Sequence, residues 1–149
     1  MKQIIIIGTE PPCPRCGLLT KVVCEKAEEQ SKAVEVEHIA YTSERAKKIA
    51  KNLGLTIGTA KDVALKLGKQ IDKFRLDSIL DHGCPCSSPD YNKYTEFKWS
   101  PQLDDFLRPY EDKAKEVGIL MTPVLIINNV LKHAGSVPKL EKIEKWIKE

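Results

Sequence analysis

No stretch of this chain is long and apolar enough to suggest a membrane span or the core of a secretion signal. The four isoleucines Ile4 to Ile7, with a single lysine before them, fall far short of either. An excess of one charge is also missing. Lys and Arg number 24 against 21 Asp and Glu, and the net charge of +3 offers no electrostatic footprint for nucleic acid or for an anionic membrane. There is no internal repeat and no low-complexity tract. Nor is there a paired cysteine framework of the secreted kind: the five cysteines fall as Cys13-x-x-Cys16, a lone Cys24 and Cys84-x-Cys86. The expectation is a cytoplasmic protein with no nucleic-acid or membrane partner. In a reducing compartment such cysteine spacings point to redox chemistry or to metal.

What is present is ordinary for a globular protein, with 42% apolar and 30% charged residues. A length of 149 residues suits a single domain over 1–149 with room for a real core and an elaboration on it. Gln3 to Ile7 is a continuous β-branched run, as in a central strand covered on both faces. Gly8 ends it, and Pro11 and Pro12 forbid helix up to Cys13. Pro14 is acceptable in a first helical turn, where its missing N–H would have had no partner. Cys16, Leu19, Val23 and Ala27 then mark one face of a helix.

Ala33 to Ile39 alternates as a half-exposed edge strand. Its His38 shares the parity of the valines and reads as an ordinary surface or packing residue. Helices follow at Ser43 to Leu53, stopped by Gly54, and at Thr59 to Leu67, stopped by Gly68, with a third over Gln70 to Leu80. The stretch Thr59 to Gly68 with the next helix has the look of a helix-turn-helix, but the near-neutral charge favours a packed helical hairpin. Asp81 to Ser100 has no period and reads as an irregular polar loop. Pro101 to Val117 returns to helix, interrupted at Pro109. Val124 to Ile127 and Val130 to Ala134 are two antiparallel strands joined by Asn128-Asn129, which tolerate the positive φ of a tight turn. A last helix starts at Ser136 to Pro138, with Leu140, Ile143, Trp146 and Ile147 on its buried side.

The chemistry gathers at Cys13 and Cys16. A cysteine at a helix start faces unpaired N–H groups and the positive end of the helix dipole, and both stabilise a thiolate. Cys13 is therefore the candidate nucleophile, assisted by Arg15. Cys16, one turn further and on the buried face, is the candidate resolving thiol. The same spacing is half of a zinc site. Its other half would have to be Cys84 and Cys86 with His82, which makes a metal-binding or metal-handling protein the alternative reading.

Strand, Gly8-Thr9, Cys13-Pro14-Arg15-Cys16 and helix at one end, with Thr122-Pro123, strand, Asn128-Asn129, strand, Ala134-Gly135 and helix at the other, resembles the thioredoxin-like superfamily. The likeness is greatest to its small redox-active disulfide proteins, and it covers residues 1 to 41 and 101 to 149. It implies an α/β, thioredoxin-like fold: a four-stranded mixed sheet flanked by helices, with 42–100 a mainly helical and irregular insertion. It implies a thiol-disulfide oxidoreductase with no organic cofactor, a protein or small-molecule disulfide as substrate, and a reductase partner. Pro123 would be cis and abut the cysteine pair as part of the catalytic site, and Thr122, Arg15 and Pro14 would meet the substrate. Thioredoxins proper have a tryptophan before the first cysteine and a buried acid in the preceding strand. Here Pro12 and the isoleucine strand stand in those places, so proton transfer to Cys16 has no evident carrier.

Cys24 lies about 12 and 16 Å along the helix from Cys16 and Cys13. A disulfide needs Cα atoms within about 7 Å, so Cys24 reads as a buried small hydrophobe. Cys84 and Cys86 admit three readings: a second redox pair that exchanges with Cys13 and Cys16, a soft-metal site, or two loop cysteines. The first is the hypothesis carried forward.

Overall fold

The computed structural model describes residues 1–149. Strand β1 (Lys2–Gly8) carries the isoleucines and is the second strand of a four-stranded sheet of order β2-β1-β5-β6. It runs parallel to β2 (Val34–Ala40) and antiparallel to β5 (Val124–Ile127), which pairs antiparallel with β6 (Val130–Ala134). This is the mixed four-stranded sheet that the resemblance implies.

Helices cover both faces, which is why β1 has no polar alternation. Ile4 and Ile6 join a core with Leu18, Leu19, Val22 and Val23 of α1 (Pro14–Glu28), Leu103 and Leu107 of α5 (Pro101–Ala114), and Ile143 and Ile147 of α6 (Leu140–Lys148). Ile5 and Ile7 face the other way, onto Ala46 and Ala50 of α2 (Glu44–Asn52). Each buried isoleucine contributes about 1.5–3 kcal/mol of transfer free energy. No helix is long and apolar enough to cross a membrane.

Between the two ends, α2, α3 (Ala60–Lys66) and α4 (Lys73–Asp81) stand where helices are expected, capped by Ser43, Thr59 and Asp72. Gly54 and Gly68 follow the first two with positive φ. Asn128 and Asn129 both have positive φ in the β5–β6 turn.

The structure departs from the sequence reading at four places. A second, two-stranded parallel sheet is present, pairing β3 (Thr56–Gly58) with β4 (Ile119–Met121). Helix α5 runs through Pro109 without a break. Pro109 and Asp105 are both exposed, so the carbonyl that loses its intrahelical donor faces water. Helix α6 begins only at Leu140, because the segment before it is held extended by Val137 N–H on Asp104 and by the Tyr91 hydroxyl on the Pro138 carbonyl. Finally, the loop after α4 is irregular but far from polar in its packing. Tyr91, Tyr94 and Trp99 are buried in the main core, and Tyr94 donates to Glu25 of α1 at 2.7 Å.

Candidate functional site

Strand β1 ends at Gly8, and the chain crosses to α1 through Thr9 to Pro12. The Thr9 hydroxyl donates to the Pro11 carbonyl at 3.0 Å and accepts the Cys13 N–H at 2.9 Å, which fixes the approach to the helix. Cys13 is the N-cap residue of α1, with extended φ and ψ, and its sulfur accepts the Cys16 N–H at 3.5 Å. The two sulfurs are 3.2 Å apart. Cys13 is half-buried and Cys16 fully buried.

This geometry drives the two thiols apart in acidity. The hydrogen bond from the Cys16 thiol is the largest influence on Cys13. With the Cys16 backbone N–H and the charge of Arg15 it outweighs burial, bringing the Cys13 pKa from 9.0 down to about 6. Cys16 goes the other way: its bond to Cys13, its burial and the facing thiolate all push its pKa up. One thiolate and one retained thiol is the state in which a dithiol attacks from one sulfur and holds the other in reserve.

Two further features converge here. A Cβ on Gly8 would fall 2.5 Å from Cys16 Sγ, so glycine is what lets the sulfur lie against the strand end. Register pairs Ile7 with Val124, which sets Pro123 beside Gly8 in the sheet, and the Thr122–Pro123 bond is cis. Cys16 Sγ and Pro123 thus both lie at the Gly8 end of β1. Thr122 is buried, with its N–H on the Gly58 carbonyl at 2.9 Å, and Pro14 is half-buried in the first turn of α1.

Arg15 turns inward. Its side chain is 6% exposed, and Nε donates to Asp104 Oδ1 at 2.9 Å. Asp104 Oδ2 accepts from Trp99 Nε1 at 3.0 Å and from Val137 N–H at 3.1 Å. An acid and a tryptophan are therefore tied to the helix that carries the cysteines, but they come from α5 and its approach rather than from the strand before Cys13. The sequence signal was available: Asp104 sits between Leu103 and Leu107 on the buried side of α5, and a carboxylate on such a face needs a cation. The ring of Phe97 completes the surround, packed so closely on Gly17 that a Cβ there would lie 2.9 Å from it.

A thioredoxin-domain family model matches residues 108–148, from the second half of α5 through the cis proline and the β5–β6 hairpin to α6. Together with the sheet order β2-β1-β5-β6, this match supports a thioredoxin-like fold. A search of curated proteins finds no match.

The remaining cysteines lie elsewhere. Cys24 is half-buried rather than fully buried, and its burial beside Glu28 pushes its pKa up. Cys84 and Cys86 are joined to each other in a disulfide with Cα atoms 5.2 Å apart. His82 caps α4, its Nδ1 2.9 Å from the Ser78 carbonyl. No group of three or more His, Cys, Asp or Glu side chains is arranged to hold a metal ion, so Cys13, Cys16, Cys84, Cys86 and His82 do not form the four- or five-ligand site that the metal reading requires.

Proposed function

We propose that this chain is a thiol-disulfide oxidoreductase acting on protein or small-molecule disulfides. Cys13 thiolate attacks one sulfur of the substrate disulfide. The S–S bond breaks, the first thiolate leaves and takes a proton from water, and a mixed disulfide joins Cys13 to the other half. Cys16 then loses its proton and attacks Cys13, releasing the second thiol and closing a Cys13–Cys16 disulfide. The substrate gains two electrons, the dithiol gives them up, and a reductase partner restores it. The observation that carries this reading is the 3.2 Å pair of sulfurs at the start of α1, with Cys13 acidified and Cys16 not. Pro123 shapes the substrate edge and Thr122 lies beside it.

The Cys84–Cys86 pair extends the reading to a relay. Closing so short a loop removes little chain entropy, on the order of 1–2 kcal/mol against about 3 for a 15-residue loop, so structural stapling is a weak reason for this disulfide. The loop that carries it is also tied to the cysteine helix: Gly83 lies against the Lys98 backbone, and Phe97 packs on Gly17. In the relay, reduced Cys13 and Cys16 hand electrons to Cys84–Cys86, or the reverse, by the same exchange.

Both levels are tested by reduction of a protein disulfide such as insulin with dithiothreitol as electron source. The wild type is expected to accelerate it and a Cys13→Ser variant to give the uncatalysed rate. A Cys84→Ser, Cys86→Ser double variant is expected to keep the Cys13–Cys16 chemistry but transfer electrons several-fold more slowly. Unchanged transfer by the double variant would remove the relay and leave the oxidoreductase.

A further inference from the structure

Resolution of the mixed disulfide requires Cys16 to give up a proton while buried, and α1 supplies no group to take it. The neighbouring strand β2 does. His38 lies on β2 in register with Ile6, on the same side of the sheet as Val34 and Val36, which pack against the α1 core. Its side chain is 13% exposed, and its Nε2 is buried with no hydrogen-bond partner. The built Cβ position on Gly8 that lies 2.5 Å from Cys16 Sγ lies 3.2 Å from His38 Nε2. Sulfur and nitrogen therefore border one small space, kept open because residue 8 is glycine.

The other face of the imidazole is also placed. Nδ1 stands 3.3 Å from Glu10 Oε2, a carboxylate in the turn between β1 and Cys13. A carboxylate there favours the tautomer with its proton on Nδ1, which leaves the Nε2 lone pair facing the space shared with Cys16. No other carboxylate competes. β1 presents the apolar Ile6, Glu35 and Glu37 alternate to the opposite face of β2, and Arg15 of α1 is turned to Asp104. A buried imidazole nitrogen without a partner is unfavourable in a resting structure, and a partner gained during the reaction is the reason to keep one.

We propose that His38 is the proton acceptor for Cys16, with Glu10 as the residue that positions and orients the imidazole. This rests on the reading of Cys13 and Cys16 as an exchanging dithiol. In the step, the Cys16 S–H bond breaks and its proton goes to His38 Nε2. The freed electron pair on Cys16 Sγ forms the bond to Cys13 Sγ, and the bond from Cys13 to the substrate sulfur breaks with its pair on the leaving thiolate. The imidazolium then returns its proton to that thiolate or to water.

The test is single turnover of the reduced protein in a Cys24→Ser, Cys84→Ser, Cys86→Ser background with 5,5′-dithiobis(2-nitrobenzoate), which releases one nitrothiobenzoate as Cys13 is captured and a second as Cys16 resolves it. His38→Gln is expected to slow the second release at pH 7 at least tenfold, with the deficit closing above about pH 9, where hydroxide takes the proton. The first release should stay within twofold. Glu10→Gln, at a position 56% exposed, keeps the imidazole and is expected to slow the second release two- to fivefold. An unchanged second release in His38→Gln, or equal slowing of both, overturns the role of His38. If His38→Gln does not fold, an unchanged second release in Glu10→Gln does so instead. No first release in that background with His38 intact overturns the oxidoreductase reading itself, which separates the two failures.

Discussion

Cys16→Ser is expected to accumulate a covalent mixed disulfide with any substrate the protein reduces, and Cys13→Ser to accumulate none. The asymmetry follows from position. Cys13 is the half-buried N-cap whose sulfur sits at the positive end of α1, and Cys16 is fully buried one turn further along. Without Cys16 the first exchange still occurs, but the intermediate has no intramolecular exit, and its lifetime is set by external thiols. Release of the second product should fall by 10²-fold or more, the usual cost of losing a positioned neighbouring nucleophile. The loss of Cys16 should also move the remaining thiol. Its hydrogen bond is the largest cause of the low Cys13 pKa, so Cys16→Ala, which offers no donor, should attack more slowly at pH 7 than Cys16→Ser, which does. Non-reducing gels and intact mass of the protein after exposure to a disulfide substrate check both halves. Equal trapping by the two variants would contradict the assignment of roles.

Asp104→Ala is expected to lower the unfolding free energy by about 3–5 kcal/mol, the range for breaking a buried ion pair from one side. The substitution strands the 6%-exposed Arg15 and removes the acceptor of Trp99 Nε1 and Val137 N–H together. For a chain of this size each kcal/mol moves the melting temperature about 2–4 °C, so the expected fall is about 6–20 °C. Asp104→Asn keeps an oxygen acceptor but loses the charge and should fall between. Arg15→Met removes the cation, leaves the carboxylate with two neutral donors, and should cost less than Asp104→Ala. Thermal melts of the three, all in the reduced state, give the order. A melting temperature within 2 °C of wild type for Asp104→Ala would mean that the network is not what fastens α5 and the approach to α6 onto α1.

Much of this arrangement is legible in the residues. Four isoleucines with no alternation call for a strand covered on both faces. Pro11 and Pro12 before Cys13 push the helix start onto the cysteine, and paired asparagines between apolar runs call for a tight hairpin. What escaped has physical causes. The three-residue strands β3 and β4 are too short to carry a period, and their pairing joins positions 56–58 to 119–121 across α3, α4 and the loop. The aromatic loop is polar by composition while its buried share rests on Tyr91, Tyr94 and Trp99, whose partners lie on α1, α5 and the approach to α6. Pro109 reads as an interruption only if its carbonyl partner is dry. His38 looked ordinary because an alternating strand shows which face a side chain takes but not what waits there. Arg15 shows the same limit: the resemblance has it meet the substrate, and only the fold turns its side chain inward onto Asp104.

The most direct test of the account is the pH dependence of Cys13 alkylation by iodoacetamide in the reduced protein, followed residue by residue by mass spectrometry. The thiolate is the reacting species, so the rate should rise with the fraction ionised, reach half its plateau at about pH 6 and be flat by pH 8. Cys16 should stay unmodified over the same range, since its pKa is pushed up and its sulfur is buried. A Cys13 rate still rising through pH 8 to 9, as for a free thiol, or equal labelling of Cys13 and Cys16, would contradict the claim that this pair is built to exchange disulfides.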